Sequence, residues 1–331
     1  MERELELEIV RVTELGALSS ARGIGRGDKN AADDAATTAI RSMFDSVSID
    51  GTVVIGDGEM AEAPMLYIGE QVGNRNGPSV DVAVDPLEGT EVVACGLHNA
   101  QSVIAIADRG SLLHAPDIYM EKLACGPELA GRLSLEDPAE VTLRKASLIT
   151  GKALSELTVM VLDRTRHEPL LATLRGLGVR VKLIGPGVVA GAIAAALPDS
   201  DVDLYMGSGG APEGVLAAAA LKCRGGELQG KLLPEGPFEL QRCLMMGIEN
   251  PTRVLSMEDM VGTGDVIFAA TGVTSGEFLS GVRFIGKERA ETHSVIMRAQ
   301  SRTIRYIRSI HFLPGKEIPQ VKASRPDAAF I

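Results

Sequence analysis

Tryptophan is absent from this chain, and aromatic residues make up only 3% of it. Basic residues are outnumbered as well, because 33 Lys and Arg stand against 44 Asp and Glu and give a net charge of −11. Proteins that bind nucleic acid need a basic surface and usually aromatic side chains on which bases stack. The composition therefore predicts that nucleic acid is not a partner.

Long apolar runs are also missing, since no stretch approaches the roughly 18 to 20 apolar residues that span a membrane. The N-terminal sequence MERELELEIVRV is acidic and alternating. A signal peptide, in contrast, begins with basic residues and continues with an apolar stretch. We therefore predict a cytoplasmic protein with no membrane partner.

Cysteine is scarce, and the four cysteines Cys95, Cys125, Cys223 and Cys243 form no CxxC pair. This spacing supports neither a thiolate metal site nor a disulfide scaffold. We expect reduced, mostly buried thiols, because Cys often behaves as a small core hydrophobe. The histidines are scattered without ligand spacing, and we interpret all five as structural or surface residues. They are His98, His114, His167, His293 and His311.

Apolar residues, however, are plentiful, because the chain has 331 residues of which 45% are hydrophobic and 23% charged. That length exceeds what one hydrophobic core usually organises. We therefore predict two lobes. The N-terminal lobe is of α+β type and covers residues 1–155, and the C-terminal lobe is of α/β type and covers residues 156–331.

In the N-terminal half, apolar residues recur at steps of three and four over residues 5–16 and 33–44. This spacing predicts two amphipathic helices. Short β-branched runs that end in turn residues follow at 52–59, 80–89 and 101–110. They predict strands of one sheet.

After residue 150 the pattern changes to strands that alternate with helices, which is typical of a parallel α/β unit. We expect a further strand at residues 265–272 to join this C-terminal sheet. Residues 293–312 predict an antiparallel hairpin that turns at Ser301 and Arg302. The sequence does not determine which lobe the hairpin pairs with.

Acidic residues recur where predicted strands end, which is where α/β proteins build their sites. Asp57 and Glu59 follow one strand, and Asp85 and Glu88 follow another. In the string DPLEGT, proline fixes one dihedral and glycine permits a tight turn, so two carboxylates and the Thr90 hydroxyl can face a common centre. Hard divalent cations such as Mg²⁺ bind oxygen ligands of this kind. A strand ending in D-x-x-E is weak evidence alone, because such residues are commonly solvated, but the full string is far more specific.

The string DPLEGT resembles the D-P-[LI]-[DE]-G-[ST] signature of the lithium-sensitive carbohydrate phosphatase superfamily. The surrounding chain is similar to the class II fructose-1,6-bisphosphatase family nearly end to end. The strings that carry this resemblance are GRGDKNAAD (25–33), EAPMLYIGE (62–70), VAVDPLEGT (82–90), APDIYMEKL (115–123), GGAPEGV (209–215) and SRTIRYIRSIH (301–311).

This resemblance implies an α/β fold, a layered α-β-α-β-α sandwich of two lobes with the active site between them, and it makes the N-terminal lobe the metal-binding one. It implies an Mg²⁺- or Mn²⁺-dependent hydrolase that removes the 1-phosphate of fructose 1,6-bisphosphate, in gluconeogenesis or the Calvin cycle. Sedoheptulose 1,7-bisphosphate is left open as a second substrate. A homo-oligomer whose partner is a small-molecule sugar bisphosphate is also implied.

The resemblance further implies roles for individual residues. Those that match the family's divalent-metal ligands are Asp33, Asp57, Asp85, Glu88 and Glu213, and Asp57 stands where the family normally has Glu. Thr90 matches the hydroxyl that helps to activate the attacking water, and Asp85 and Glu213 are expected to act with it in catalysis. The residues expected to lie against substrate are Glu88, Gly89, Thr90, Tyr119, Arg164, Arg166, Gly187 and Gly210.

Two departures from the family pattern put the identity of the substrate in question. Asp57 is one methylene shorter than Glu, and the segment from Gly185 to Val188 reads Gly-Pro-Gly-Val where the family usually has Asp-Gly-Asp in contact with the sugar. Two alternatives therefore stay open: an inositol-type monophosphatase of the same superfamily, and a paralogue that binds sugar phosphate without hydrolysing it. The intact strings DPLEGT and GGAPEG favour a hydrolase.

Overall fold

The computed structural model describes residues 4–58, 65–316, 318–319 and 321, so Glu59 lies outside the described residues. The helices are α1 (Leu5–Ser20), α2 (Lys29–Phe44), α3 (Thr90–Cys95), α4 (Ala139–Thr150), α5 (Glu168–Gly176), α6 (Val188–Ala194), α7 (Ala211–Arg224), α8 (Pro237–Met245) and α9 (Met257–Val261). The strands are β1 (Asp50–Ile55), β2 (Gln71–Val72), β3 (Ser79–Glu88), β4 (Gln101–Asp108), β5 (Tyr119–Cys125), β6 (Thr158–Leu162), β7 (Arg180–Ile184), β8 (Leu204–Gly210), β9 (Glu227–Leu232), β10 (Val254–Leu255), β11 (Val266–Gly272), β12 (Arg283–Ile285), β13 (Arg289–Arg298) and β14 (Thr303–Phe312).

These strands form two sheets. The first has the order β12-β13-β11-β4-β3-β1-β2, with β14 also paired to β13, and the second has the order β10-β9-β5-β8-β6-β7. The three early strands predicted to share a sheet are β1, β3 and β4, which are neighbours in the first sheet. Strand β6 is parallel to β7 and β8, as the alternation of strands and helices predicted.

Side chains along each strand alternate between the two faces of its sheet. Apolar side chains are buried on both faces of both sheets, and helices pack on all of these faces. On the outer face of the first sheet, Val82 packs with Ile9 of α1. Between the sheets, Ala105 of the first and Met120 of the second belong to one core with α6 and α7. On the far face of the second sheet, Val159 packs with residues of α4 and α5. The predicted α-β-α-β-α sandwich is therefore confirmed.

Helix α7 lies in the middle layer, and its composition explains why. Its sequence APEGVLAAAALKCR is apolar around most of the helix, which is typical of a helix buried on all sides. The run Ala217–Ala220 has no exposed surface. Because α7 is held between the two sheets, its first turn brings Glu213 to the junction where the site forms.

Strand β11 joins the first sheet, so the prediction that residues 265–272 extend the C-terminal sheet is wrong. The strand lies between β4 and β13 and pairs antiparallel with both. All seven of its residues are buried. A continuous apolar run of this kind shows that a strand is covered on both faces and does not reveal which sheet it joins.

The predicted hairpin is confirmed as β13 and β14, which pair antiparallel from Arg289 and Phe312 to Arg298 and Thr303, and it belongs to the first sheet. Strand β5, from the N-terminal half of the chain, lies in the second sheet. The sheets thus draw strands from both sides of residue 155. The division into lobes at residues 155 and 156 stays a prediction.

Both N-terminal helices are longer than the sequence pattern predicted. Helix α2 begins at Lys29 because the Asp28 carboxylate accepts a hydrogen bond of 2.9 Å from the Ala31 N–H and caps the first turn. At 16 residues each, α1 and α2 are the longest helices in the described part of the chain. No helix there combines the length and the apolar character that crossing a membrane requires.

The cysteines behave as expected. All four are free, and Cys125, Cys223 and Cys243 are buried. Burial raises the pKa of the Cys125 and Cys223 thiols to about 12, which keeps them protonated and unreactive.

Candidate active site

A cavity of about 770 Å³ opens where β1, β3, β6 and β8 end. The structure brings to its wall every residue predicted for metal binding, catalysis or substrate contact. These are Asp33, Asp57, Asp85, Glu88, Gly89, Thr90, Tyr119, Arg164, Arg166, Gly187, Gly210 and Glu213. Strand ends are where loops of α/β proteins can place side chains from distant parts of the sequence together. The role of each residue remains a prediction.

The DPLEGT turn shapes one wall of the cavity. Its pairing with β4 is interrupted between Asp85 and Glu88, where the register shifts. The Leu87 N–H donates a hydrogen bond of 3.1 Å to Asp85 Oδ1, which fixes that carboxylate beside the turn. Gly89 has φ 95°, a left-handed conformation that glycine adopts without strain, and α3 begins at the next residue, Thr90.

Glu88 is held rigidly from two other elements. Gln101 Nε2 of β4 donates to Glu88 Oε2 at 2.7 Å, and the Val189 N–H in the first turn of α6 donates to Oε1 at 2.8 Å. Only 5% of the residue is exposed. Burial raises the pKa of Glu88 to about 7 even though both hydrogen bonds favour the charged form.

Asp33 and Asp57 reach the cavity from α2 and from the loop after β1. Burial, and next the negative charges of Asp57 and Asp34, raise the pKa of Asp33 to about 7. Desolvation also raises the pKa of Asp57, although its Oδ2 accepts a hydrogen bond of 2.9 Å from Thr37 Oγ1.

Asp85 lies among the other carboxylates of the cluster. Burial is the main reason that the pKa of Asp85 lies well above its ordinary value. The negative charges of Glu88, Glu213, Asp33 and Asp57 raise it further. Each carboxylate therefore raises the cost of ionising its neighbours. The cluster combines oxygen donors only, and the buried Lys122 is the cation that acts on Glu88 and Glu213 among the charges that shift the cluster's pKa values.

Glu213 has a carboxylate oxygen that no described residue satisfies. Its Oε2 atom is buried without a hydrogen-bond partner among the described residues. The carboxylate folds back over Gly210, where any side chain would collide with it. An unpaired buried carboxylate oxygen is costly unless an ion or ligand satisfies it.

The donor set fits a hard divalent cation, because Asp33, Asp57, Asp85, Glu88 and Glu213 offer only carboxylate oxygens. In the part of the chain that the structure describes, however, no three His, Cys, Asp or Glu side chains converge closely enough to hold an ion as they stand. The type and charge of these ligands therefore suit a divalent cation. The carboxylates would have to rotate before three of them could contact the same ion.

Arginine side chains also line the cavity. The Arg166 guanidinium stacks on the ring of Tyr119, with 4.6 Å between Cζ and the ring centroid. Arg164, two residues earlier, donates to the Asp163 carbonyl at 3.1 Å and also lines the cavity. Carboxylates and guanidinium groups therefore line the same cavity. We refer to the first group as the carboxylate wall (Asp33, Asp57, Asp85, Glu88 and Glu213) and to the second as the arginine wall (Arg164 and Arg166).

The segment that lacks the family's two acids also lines the cavity. Gly187 has φ 135° and precedes α6, and Pro186 and Val188 flank it. Val188 is only 6% exposed, and its side chain packs against Gly209. This part of the wall therefore presents apolar surface where the family usually presents carboxylates.

Three further residues were not predicted for the site. Arg242 of α8 and Asp117 line the cavity. Asp117 lies in the string APDIYMEKL without an assigned role, and no motif in the sequence marked Arg242. Lys122 lies behind the cavity, fully buried, and donates to the Met120 carbonyl at 3.1 Å. Burial lowers the pKa of Lys122 to about 7. Lys122 is two residues from the apolar Met120 in β5, so both side chains lie on one face of the strand. This spacing in the sequence could have predicted that Lys122 points inward.

The raised pKa values of Asp33 and Glu88 predict an unusual pH dependence of stability. Their folded-state pKa values of about 7 lie above the ordinary values of 3.8 for Asp and 4.5 for Glu. The unfolded chain therefore loses these protons first as pH rises, and the free energy of unfolding falls from about pH 4 to about pH 7. We expect the Tm of chelator-treated protein to be lower at about pH 8 than at about pH 5.5, and added Mg²⁺ or Mn²⁺ to raise it more at the higher pH.

Differential scanning calorimetry at both pH values, with and without cation, measures this effect. Glu88→Gln is the matched control, because it removes one titrating group and should flatten the pH dependence. A Tm that rises with pH in the chelator-treated protein, or a variant with unchanged pH dependence, would contradict the electrostatic description of the cluster.

Comparison with known proteins agrees with this site. The family model described as bacterial fructose-1,6-bisphosphatase, glpX-encoded, matches residues 3–311. The chain is 48% identical over 330 residues to fructose-1,6-bisphosphatase 1 class 2 of Escherichia coli strain K12, covering 96% of this chain and 98% of that protein. It is 45% identical over 326 residues to fructose-1,6-bisphosphatase class 2 of Haemophilus influenzae, covering 95% and 97%. Because the match spans nearly the whole chain, the protein belongs to the glpX-encoded family of bacterial fructose-1,6-bisphosphatases.

Proposed function

We propose that this protein hydrolyses the 1-phosphate of fructose 1,6-bisphosphate. The observation that carries this proposal is that the carboxylate wall and the arginine wall line one cavity. A bisphosphate needs two different environments: one that cleaves an ester and one that binds the second phosphate. The names of the family and of its relatives support this choice of substrate.

The carboxylate wall would hold the cation, and we propose Mg²⁺ or Mn²⁺. The residues that would hold it are Asp33, Asp57, Asp85, Glu88 and Glu213. A divalent cation bound there would neutralise phosphate charge and lower the pKa of the attacking water. The hydrogen bonds from Gln101 and Val189 would keep Glu88 oriented while the other carboxylates rotate.

We propose that Thr90 orients the attacking water. Its hydroxyl is at the first position of α3, lines the cavity, and makes no hydrogen bond with another described residue. It can therefore accept a hydrogen bond from water, and the neighbouring carboxylates of Asp85 and Glu213 can accept others. Water would then attack phosphorus, and the sugar oxygen would leave and take up a proton.

The arginine wall would bind the remote phosphate. Guanidinium groups form paired hydrogen bonds to phosphate oxygens, and Arg164 and Arg166 both face the cavity. This wall disfavours an inositol-type monophosphatase, whose substrate has no second phosphate to engage it. A non-hydrolysing paralogue is disfavoured by the intact carboxylate set.

A panel assay tests the proposal. Phosphate release would be measured from fructose 1,6-bisphosphate, sedoheptulose 1,7-bisphosphate, fructose 1-phosphate and inositol 1-phosphate with Mg²⁺ or Mn²⁺ present. We expect the ketose bisphosphates to be cleaved fastest. A preference for inositol 1-phosphate would support the monophosphatase alternative, and no release from any compound would support the non-hydrolysing one.

We further propose a role in gluconeogenesis, a cytoplasmic location and a homo-oligomeric state, all supported by family membership. The apolar segment around Gly187 motivates a more specific proposal. We propose that the protein also hydrolyses sedoheptulose 1,7-bisphosphate and acts in the Calvin cycle. The division into lobes at residues 155 and 156 is likewise proposed, from the change in sequence pattern there.

The apolar segment gives a mutational prediction. Pro186→Asp combined with Val188→Asp should lower KM for fructose 1,6-bisphosphate several-fold, because each restored hydrogen bond to a sugar hydroxyl is worth about 0.5 to 1.5 kcal/mol net. The turnover number should change less, since the carboxylate wall is built by other elements. Steady-state kinetics across the bisphosphates measure both constants, with the single variants as controls. An unchanged or higher KM would mean that the pocket is shaped for another ligand.

A further inference from the structure

Arg166 is held in place by one residue of the neighbouring strand. Its Nε–H donates to Ser208 Oγ at 3.0 Å, and its Nη2 donates to the Ser208 carbonyl at 2.9 Å. The ring of Tyr119 covers one face of the guanidinium. Ser208 lies in β8, whereas Arg166 follows β6, so the contact joins two strands of the second sheet.

These contacts leave most of the guanidinium available. It has five N–H donors, and Ser208 uses two of them. Among the described residues, the other three have no hydrogen-bond acceptor, and no carboxylate lies within 4.0 Å of the group. Arg166 is therefore a fixed and uncompensated cation on the cavity wall, which is the arrangement that suits an incoming phosphate.

Behind Ser208 lies His167, which is 4% exposed. Its Nε2 is 2.8 Å from the Ser208 backbone nitrogen and 3.2 Å from Ser208 Oγ, and its Nδ1 is 2.8 Å from the Leu162 carbonyl oxygen. A backbone N–H can only donate, so Nε2 must be the unprotonated acceptor. Nδ1 then carries the proton and donates it to Leu162.

This tautomer fixes the direction of the whole chain of hydrogen bonds. Towards His167 Nε2 the Ser208 hydroxyl can only donate, and it shares the single lone pair of that nitrogen with the Ser208 N–H. The lone pairs of the hydroxyl oxygen remain to accept from Arg166 Nε. If His167 instead presented a proton at Nε2, that proton would face the Ser208 N–H. Gly207 makes the approach possible, since a Cβ at this position would be 3.0 Å from Nε2 and the residue has φ 126°.

We propose that His167 and Ser208 are positioning residues that fix the Arg166 guanidinium for the remote phosphate of the substrate. This inference rests on the proposed function and extends it from the arginine to the pair of residues behind it. It also revises the sequence-based interpretation of His167 as merely structural. Neither residue touches substrate; both act through Arg166.

The first test uses Ser208→Ala, with Ser208→Thr as the matched control that keeps a hydroxyl. Ser208→Ala should raise KM for fructose 1,6-bisphosphate about three- to tenfold, the effect of one hydrogen bond, with kcat within about twofold of wild type. Ser208→Thr should restore most of the loss in KM. A loss of kcat with unchanged KM, or the same loss in both variants, would contradict the proposal.

The second test separates the two nitrogens of His167. Gln can present an acceptor near Nε2, and Asn can present a donor near Nδ1. We expect His167→Gln to keep a KM within about twofold of wild type and His167→Asn to behave like Ser208→Ala. If His167→Asn keeps the wild-type KM and His167→Gln raises it, the contact with Leu162 matters and the contact with Ser208 does not. Thermal unfolding of both variants controls for stability.

A binding measurement separates this inference from the proposed hydrolysis. Calorimetry with fructose 6-phosphate, which carries only the remote phosphate, needs no turnover. Ser208→Ala should raise its Kd about three- to tenfold in the wild-type background and have almost no effect in Arg166→Ala, because the two residues act as one unit. If this pattern appears while fructose 1,6-bisphosphate is not hydrolysed, the positioning role stands and the proposed function fails. Equal effects in both backgrounds, or no binding to the wild-type protein, would overturn the positioning role.

Discussion

Asp85→Asn and Glu213→Gln should each lower kcat for fructose 1,6-bisphosphate by about a hundredfold or more without loss of the fold. Each substitution keeps the shape of the side chain and removes one negative charge from the cluster that would hold the cation. Asp85 lies among the other carboxylates, and Asn at this position keeps an oxygen acceptor for the Leu87 N–H. The Oε2 atom of Glu213 has no hydrogen-bond partner among the described residues, so Gln at this position breaks no hydrogen bond of that atom. Removal of either charge should relieve repulsion and leave stability unchanged or increased.

Steady-state kinetics and thermal unfolding would be measured on the same preparations. Glu91→Gln is the matched control: Glu91 is exposed, follows the DPLEGT turn directly, and does not line the cavity. It should retain the wild-type rate. If either cluster variant folds normally and keeps more than about a tenth of the wild-type rate, a loss of under about 1.4 kcal/mol, that residue does not hold the cation.

Removal of divalent cations should lower activity at least about a thousandfold, since among the described residues no His or Lys side chain lines the cavity to replace their positive charge. Protein treated with excess EDTA and desalted would be assayed with no cation, Mg²⁺, Mn²⁺ and Ca²⁺. We expect Mg²⁺ or Mn²⁺ to restore the rate. The Asp85→Asn variant should need a higher cation concentration for half-maximal activity than Glu91→Gln does. Full activity in metal-free buffer would contradict the assignment of the five carboxylates.

The residues of the site were more predictable than the sheet to which some strands belong. DPLEGT specified two acids, a turn and a hydroxyl within six residues, and the structure builds a β-strand irregularity and a left-handed glycine from them. Such local geometry follows from local sequence. The location of β11 in the first sheet depends on pairing with β4 and β13, which are distant in the chain, and a fully buried strand carries no signal of its partners.

The supporting residues of the site were the least predictable. Gln101 and Val189 each donate one hydrogen bond to Glu88, and Ser208 accepts two from Arg166. Other polar residues or backbone groups of suitable position could do the same. His167 lies in none of the strings that carry the family resemblance. Its role could be inferred only from the structure, in which its two nitrogens face Leu162 and Ser208. Long-range contacts of this kind are set by the packing of the two sheets and not by any repeating pattern.

The most direct test of the central claim is the product formed from fructose 1,6-bisphosphate, followed by phosphorus NMR with Mg²⁺ or Mn²⁺ present. Asp85→Asn protein prepared in the same way would control for contaminating phosphatases. We predict one equivalent of inorganic phosphate for each sugar, with fructose 6-phosphate as the accumulating organic phosphate. Accumulation of fructose 1-phosphate, or an unchanged spectrum at enzyme concentrations near that of the substrate, would contradict the assignment of one cavity wall to cleavage and the other to binding.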